Sequence, residues 1–185
     1  MQKNLVHKMI KILSKFILKK VLGWKVKGFL PINDKYIIAV VPHSSYFDLI
    51  VAVLIRTYSG LKIKFIGKKE LFNPITSFFF KFLGGIPVDR NKNENLVDAV
   101  VDLFKTNKIE ILAIAPEGTR KKVNKWKTGF YYIALKAKLP ILMVSFDYNR
   151  KEVKINNRFY PTGNIDNDFK ELKKMVSNVI VRNKI

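Results

Sequence analysis

The sequence predicts an α/β fold: a single domain with a largely parallel sheet flanked by helices, preceded by a basic amphipathic helix at the N-terminus. Three observations carry this. Short β-branched apolar runs alternate with segments of helical period, the pattern that gives strands joined by crossover helices. Pro, Gly and polar residues punctuate the joins. At 185 residues, 48% hydrophobic and 26% charged, the chain suits one sizeable core and contains no repeat or low-complexity tract.

Taken in order, residues 5–22, "LVHKMIKILSKFILKKVL", place Lys8, Lys11, Lys15 and Lys19 on one stripe of a helix, with Leu5, Val6, Met9, Ile10, Ile12, Leu13, Phe16 and Ile17 opposite. Such a helix fits the plane of an anionic bilayer, or else packs on its own domain with a solvated Lys face. Residues 1–30 are assigned to this membrane-interfacial helix and 31–185 to the main domain. "YIIAVV" (36–41) reads as a strand, about 46–58 as a helix, and "LKIKFI" (61–66) as a strand. A helical stretch over about 70–82 leads into "GIPV".

Residues 71–88 carry a single charge, yet Pro74, Lys81, Gly84 and Gly85 interrupt the run of ~20 apolar residues that a membrane span needs, so a buried or interfacial hairpin is expected. Of Phe78, Phe79, Phe80 and Phe82, at least two are expected in the core, with lipid or an acyl-chain channel as the other destinations. Then follow a helix over about 94–106, a strand at 109–115, a helix over about 128–138, strands at 141–146 and 152–159, and a last helix from about Asp166, with Phe169, Leu172, Val176 and Ile180 on one face.

The 35 Lys and Arg against 14 Asp and Glu give a net charge of +21, a field that attracts an anionic membrane surface or a nucleic acid. Part of the excess matches the Lys, Asn and Ile usage that AT-rich coding produces. The chain shows no zinc or helix-turn-helix signature and no interleaving of aromatic and basic residues of the RNA-recognition kind, so no nucleic-acid partner is expected. The absence of Cys excludes disulfides, thiolate metal sites and a cysteine nucleophile. The basic N-terminus lacks an uninterrupted apolar stretch and a small-residue cleavage site, so no signal peptide is read there and the site is expected on the cytoplasmic face of the cell membrane, peripheral or monotopic.

Three stretches carry candidate chemistry. "PHSSYFD" sets His43 five residues before Asp48. A carboxylate beside an imidazole fixes its tautomer and stabilises its cation, which suits general base catalysis. On one regular helix that offset leaves the two side chains about 140° apart, so they meet only if His43 precedes the helix and Asp48 sits on its first turn. Pro42 and Ser44 suit such a helix start; a His that merely caps the helix is the plainer reading. "APEGTRK" follows an apolar strand: Gly118 allows close backbone approach and Arg120, with Lys121 and Lys122, offers an anion site, or else a solvated turn. "GGIPVDRNK" delivers Arg90 just past a short strand. His43 and Glu117 both fall beyond the carboxyl ends of predicted strands, where α/β sheets bind ligands.

In order and spacing these blocks resemble the glycerophospholipid acyltransferase family typified by bacterial lysophosphatidic acid acyltransferase. H-x-x-x-x-D is His43 to Asp48; the second block runs through Lys69, Leu71 and Pro74 to Gly84, Gly85, Ile86 and Arg90; E-G-T-R is Glu117 to Arg120, followed by Lys127 and Gly129; and a proline-opened apolar strand begins at Pro140. Ser77 stands where the family often has glycine. The resemblance covers about residues 36–146 and implies a glycerol-3-phosphate acyltransferase-like fold.

It also implies that His43, held by Asp48, deprotonates the hydroxyl of a lysophospholipid, which attacks the thioester of acyl-CoA or an acyl carrier protein. Arg90 and Arg120 with Lys127 would grip the acceptor phosphate, Glu117 would support the site, and Gly118 and Thr119 would shape its loop. No metal or other cofactor is implied, the thioester being a co-substrate. The acceptor expected is 1-acylglycerol-3-phosphate, with another lyso-lipid such as lyso-ornithine lipid or a glycolipid as the alternative. Direct transfer leaves Ser44 and Ser45 without a nucleophilic role.

Overall fold

The computed structural model describes residues 2–88, 96–119, 123 and 125–177. Seven strands form one sheet in the order β1-β7-β6-β2-β5-β3-β4. They are β1 (Lys25–Lys27), β2 (Tyr36–Val40), β3 (Ile63–Lys68), β4 (Gly85–Val88), β5 (Ile111–Ile114), β6 (Ile141–Asp147) and β7 (Glu152–Phe159). All neighbours run parallel except β6 and β7. The short β6–β7 connection permits that reversal, whereas each parallel neighbour needs a longer crossover. Edge strand β1 has no counterpart in the sequence reading, because three residues with two lysines carry no legible alternation.

Strand β2 shows why the sheet is central. Ile37 and Ala39 face one core with Leu112, Ile141 and Met143, while Tyr36 and Ile38 face another with Ile111, Leu142 and Val144. Burial on both faces explains the unbroken apolar runs. The first core is closed by α4 (Leu96–Lys105), α5 (Gly129–Ala137) and α6 (Ile165–Val176), the second by α2 (Phe47–Ser59) together with Leu18 and Trp24. Buried Asp168 fastens α6 by accepting from the Tyr131 hydroxyl at 2.8 Å and from Thr162 N at 2.7 Å.

The predicted helix over 70–82 is interrupted. A 3₁₀ turn (Lys69–Phe72) precedes a bend in which Asn73 Oδ1 accepts from the amides of Ile75 and Thr76, each at 3.0 Å, and α3 (Ser77–Phe82) begins afresh. Pro74 cannot donate to a continuing helix, and the Asn side chain offers the backbone this alternative. The segment is therefore a crossover between parallel β3 and β4 rather than a hairpin. The aromatic residues also depart from expectation: Phe78 and Phe82 are 81% and 73% exposed and stacked on each other, Phe79 is exposed, and only Phe80 is half-buried, against Phe72.

The N-terminal helix α1 (Gln2–Phe16) continues as a π-helical turn (Ile17–Val21) and packs on α2. Its inward side carries half-buried Lys11 and buried Ser14, followed by the fully buried Leu18. Leu5, Val6, Met9, Ile10, Ile12, Leu13 and Phe16 are all exposed. The helix thus leans on its domain by the side opposite its apolar stripe, which excludes the plain arrangement with the apolar face in the core. Among the described residues no helix is long and apolar enough to cross a membrane.

Candidate active site

Three adjacent strands, β6, β2 and β5, run parallel and end at the same edge. Their carboxyl-end loops supply Tyr148, His43 with Asp48, and Glu117 respectively. Adjacency in the sheet brings together residues as much as 100 positions apart in the chain.

The loop after β2 turns before the helix begins, so His43 lies outside α2 while Asp48 lies on its first turn. His43 Nδ1 stands 3.0 Å from Asp48 Oδ2, the contact that the five-residue spacing required. The same oxygen accepts from the amides of Ser44 and Ser45, each at 3.0 Å, and the Ser45 hydroxyl accepts from the amide of Phe47 at 3.1 Å. The two serines therefore hold the carboxylate through their backbone amides, while the Ser45 hydroxyl serves the helix start. A carboxylate in the first turn also meets the positive end of the helix dipole.

Asp48 is 2% exposed, and a buried carboxylate is tolerable only when its oxygens are satisfied. Its other oxygen, Oδ1, accepts from the hydroxyl of Tyr148. Burial alone would raise this carboxyl; hydrogen bonds from His43, Tyr148 and the Ser45 amide outweigh it and hold the group below the ordinary carboxylate value. The imidazole is a quarter exposed. With Nδ1 committed to Asp48, Nε2 is the nitrogen on the far side of the ring, available for proton transfer.

Glu117 reaches across from the β5 loop, and its Oε2 accepts from the backbone amide of His43 at 2.7 Å. The glutamate thereby ties the end of β5 to the turn that carries the imidazole. Burial pushes its carboxyl up, and the neighbouring Asp48 charge adds to that, while the His43 amide opposes the rise. Gly118 adopts φ +64°, and a Cβ there would stand 2.9 Å from Lys127 Cε, so glycine admits the lysine stem across the loop. The amide of Lys127 donates to Pro116 O at 2.8 Å, which brings the lysine backbone against the same loop. Thr119 is exposed beside Gly118.

Arg90 and Arg120, expected to hold an acceptor phosphate, lie outside the described residues. His7 lies on α1, well before the His43 loop in the chain. Tyr148 was not singled out from the sequence. The available signal was its position immediately past β6, at the same sheet edge as His43. Among the described residues no group of three or more His, Asp and Glu forms a metal cluster.

Comparison with known proteins bears on the family and the fold. The family model described as Acyltransferase matches residues 24–147. The 1-acyl-sn-glycerol-3-phosphate acyltransferases of Salmonella typhimurium and Salmonella typhi are each 29% identical over 126 residues, which is 64% of this chain and 50% of theirs. The chain thus spans about half the length of the curated relatives it matches. The crystal structure of the 1-acyl-sn-glycerophosphate (LPA) acyltransferase from Thermotoga maritima is similar in fold, with a TM-score of 0.63 at 20% identity, covering 97% of this chain and 82% of that one. The family match runs from just before β1 to the end of β6 and takes in the loops that carry His43, Asp48 and Glu117, stopping short of Tyr148 and β7, and the chain belongs to the acyltransferase family.

Proposed function

We propose that the protein is an O-acyltransferase that moves a fatty acyl group from a thioester, acyl-CoA or an acyl carrier protein, to the free hydroxyl of a lysophospholipid. The acceptor favoured is 1-acylglycerol-3-phosphate, giving phosphatidic acid. The observation that carries the reading is the pairing of His43 with a buried, multiply bonded carboxylate at the carboxyl edge of the sheet, in a chain of this family.

His43 Nε2 takes the proton of the acceptor hydroxyl as its oxygen attacks the thioester carbonyl. The imidazolium so formed is stabilised by Asp48. Collapse of the tetrahedral intermediate breaks the carbon–sulfur bond, and the departing thiolate recovers the proton from His43. The new ester and free thiol balance the reaction without an acyl-enzyme intermediate or any cofactor beyond the thioester co-substrate. Arg90, Arg120 and Lys127 are assigned to the acceptor phosphate, Glu117 to holding the His43 turn, and Gly118 and Thr119 to the shape of the loop.

The reading also places the protein at the cytoplasmic face of an anionic membrane, which would deliver both lipid substrate and product. Its support is the outward apolar face of α1 above a Lys-rich stripe and the aromatic turn after β3, where Ile75 is 90% exposed. The turn leaves the sheet at the same edge as the His43 loop. Apolar insertion and headgroup attraction add together at such a surface.

Four outcomes are expected. His43→Ala lowers acyl transfer by about 10²- to 10⁴-fold in a folded protein, the usual range for removal of a general base; full turnover by the purified variant would contradict the mechanism. Asp48→Asn is similarly impaired, and its stability has a definite pH dependence. Because the folded pKa of Asp48 lies below the ordinary 3.8, the carboxylate's stabilisation is present above that value and is lost as pH falls through the folded pKa. The melting-temperature advantage of the wild type over Asp48→Asn is therefore greatest near neutrality and shrinks below about pH 4.

Substitution of Arg90 and Arg120 raises KM for a phosphate-bearing acceptor far more than for a phosphate-free lyso-lipid such as lyso-ornithine lipid; equal loss on both argues against the phosphate assignment. Finally, the protein sediments with phosphatidylglycerol vesicles in a salt-sensitive manner, and Met9→Ser with Leu13→Ser and Phe16→Ser weakens that binding at least about tenfold. Unchanged sedimentation of the triple variant counts against α1 as the contact.

A further inference from the structure

We infer that Tyr148 is a positioning residue for the transfer reaction, fixing the orientation of the Asp48 carboxylate, and that Trp24 in turn fixes Tyr148. The inference rests on the reading of His43 and Asp48 as the reacting pair.

The two oxygens of Asp48 are held differently. Oδ2 faces three donors, the amides of Ser44 and Ser45 and Nδ1 of His43, all within one short turn. These contacts act at one oxygen and leave Oδ1 to a separate donor. Oδ1 is held by the hydroxyl of Tyr148, which comes from the end of β6, on the far side of the turn. That second anchor fixes the plane of the carboxylate and hence the lone pair that Oδ2 presents to His43. At 2% exposure water is poorly placed to substitute for the phenol.

The ring of Tyr148 is itself braced. Trp24 lies edge-on to it, with centroids 5.2 Å apart and planes at 88°, and also touches Phe146 on β6 and Phe47 beside Asp48. Trp24 is 3% exposed, and its amide donates to Leu18 O at 2.9 Å in the turn that ends the N-terminal helix. One buried indole thus spans the two elements whose relative position sets the Tyr148–Asp48 contact. Aromatic pairs of this geometry add directional preference to burial.

Tyr148→Phe keeps the ring and its packing on Trp24 and removes the second anchor. The imidazole is then correctly oriented in only a fraction of molecules, which reduces kcat and leaves acceptor binding intact.

The test is steady-state kinetics on the full chain with 1-acylglycerol-3-phosphate and an acyl thioester, comparing wild type, Tyr148→Phe, Asp48→Asn and the double variant. Expected is a fall of about 10- to 100-fold in kcat for Tyr148→Phe, the cost of losing a hydrogen bond to a charged group, with KM nearly unchanged and the melting temperature lowered by a few degrees because a buried carboxylate oxygen loses its donor. The double variant is expected to be no worse than Asp48→Asn, because the phenol acts on the reaction through that carboxylate.

Trp24→Ala is expected to lower kcat in the wild type and to add little in the Tyr148→Phe background. Wild-type kcat in Tyr148→Phe, a loss confined to melting temperature, or multiplicative losses in the double variant would each overturn the inference. If Asp48→Asn itself turns over normally, the underlying dyad reading falls and the inference with it. An inactive Asp48→Asn beside a fully active Tyr148→Phe removes the inference alone.

Discussion

The site depends on keeping one carboxylate charged where water scarcely reaches it. Asp48 achieves this with two amides from the turn before its own helix, an imidazole and a phenol. Each donor constrains a different piece of the structure: the amides set where α2 begins, the imidazole is aimed outward, and the phenol ties the turn to β6. Remove the charge and these donors lose the acceptor around which they are arranged.

The sheet order makes this possible. Because β2 lies between β6 and β5, the loop bearing His43 is flanked by the ends of both neighbours. From one side comes Tyr148; from the other comes Glu117, whose bond to the His43 amide fixes the height of the turn. The E-G-T-R loop therefore has a structural connection to the imidazole through its first residue, independent of any contact its later residues make with an anion. Gly118 completes the arrangement by letting the Lys127 stem cross close to the backbone.

Much of this was legible in the sequence, for identifiable reasons. Strands buried on both faces leave unbroken apolar runs, so 36–41, 109–115 and 141–146 were located to within a few residues of β2, β5 and β6. The spacing of His43 and Asp48 dictated a turn followed by a helix, because no single helix allows them to meet. What escaped was what depends on packing across the chain. Strand β1 is too short to show a period, and Tyr148 carries no local mark because its partner is 100 residues away. The exposure of Phe78, Phe79 and Phe82 accompanies the restart of the helix after Pro74, which a single helix over 70–82 does not anticipate. An apolar residue is expected inside unless a partner outside the chain receives it, and composition does not reveal the partner.

The central claim concerns the state of one imidazole, and ¹⁵N NMR of the histidine ring nitrogens reads it directly. The chain contains only two histidines, so a His7→Gln background leaves a single ring to assign. With the ring neutral, the account predicts His43 protonated at Nδ1, toward Asp48, and unprotonated at Nε2, the nitrogen that takes the acceptor's proton. A His43 ring carrying its proton mainly at Nε2 would contradict it.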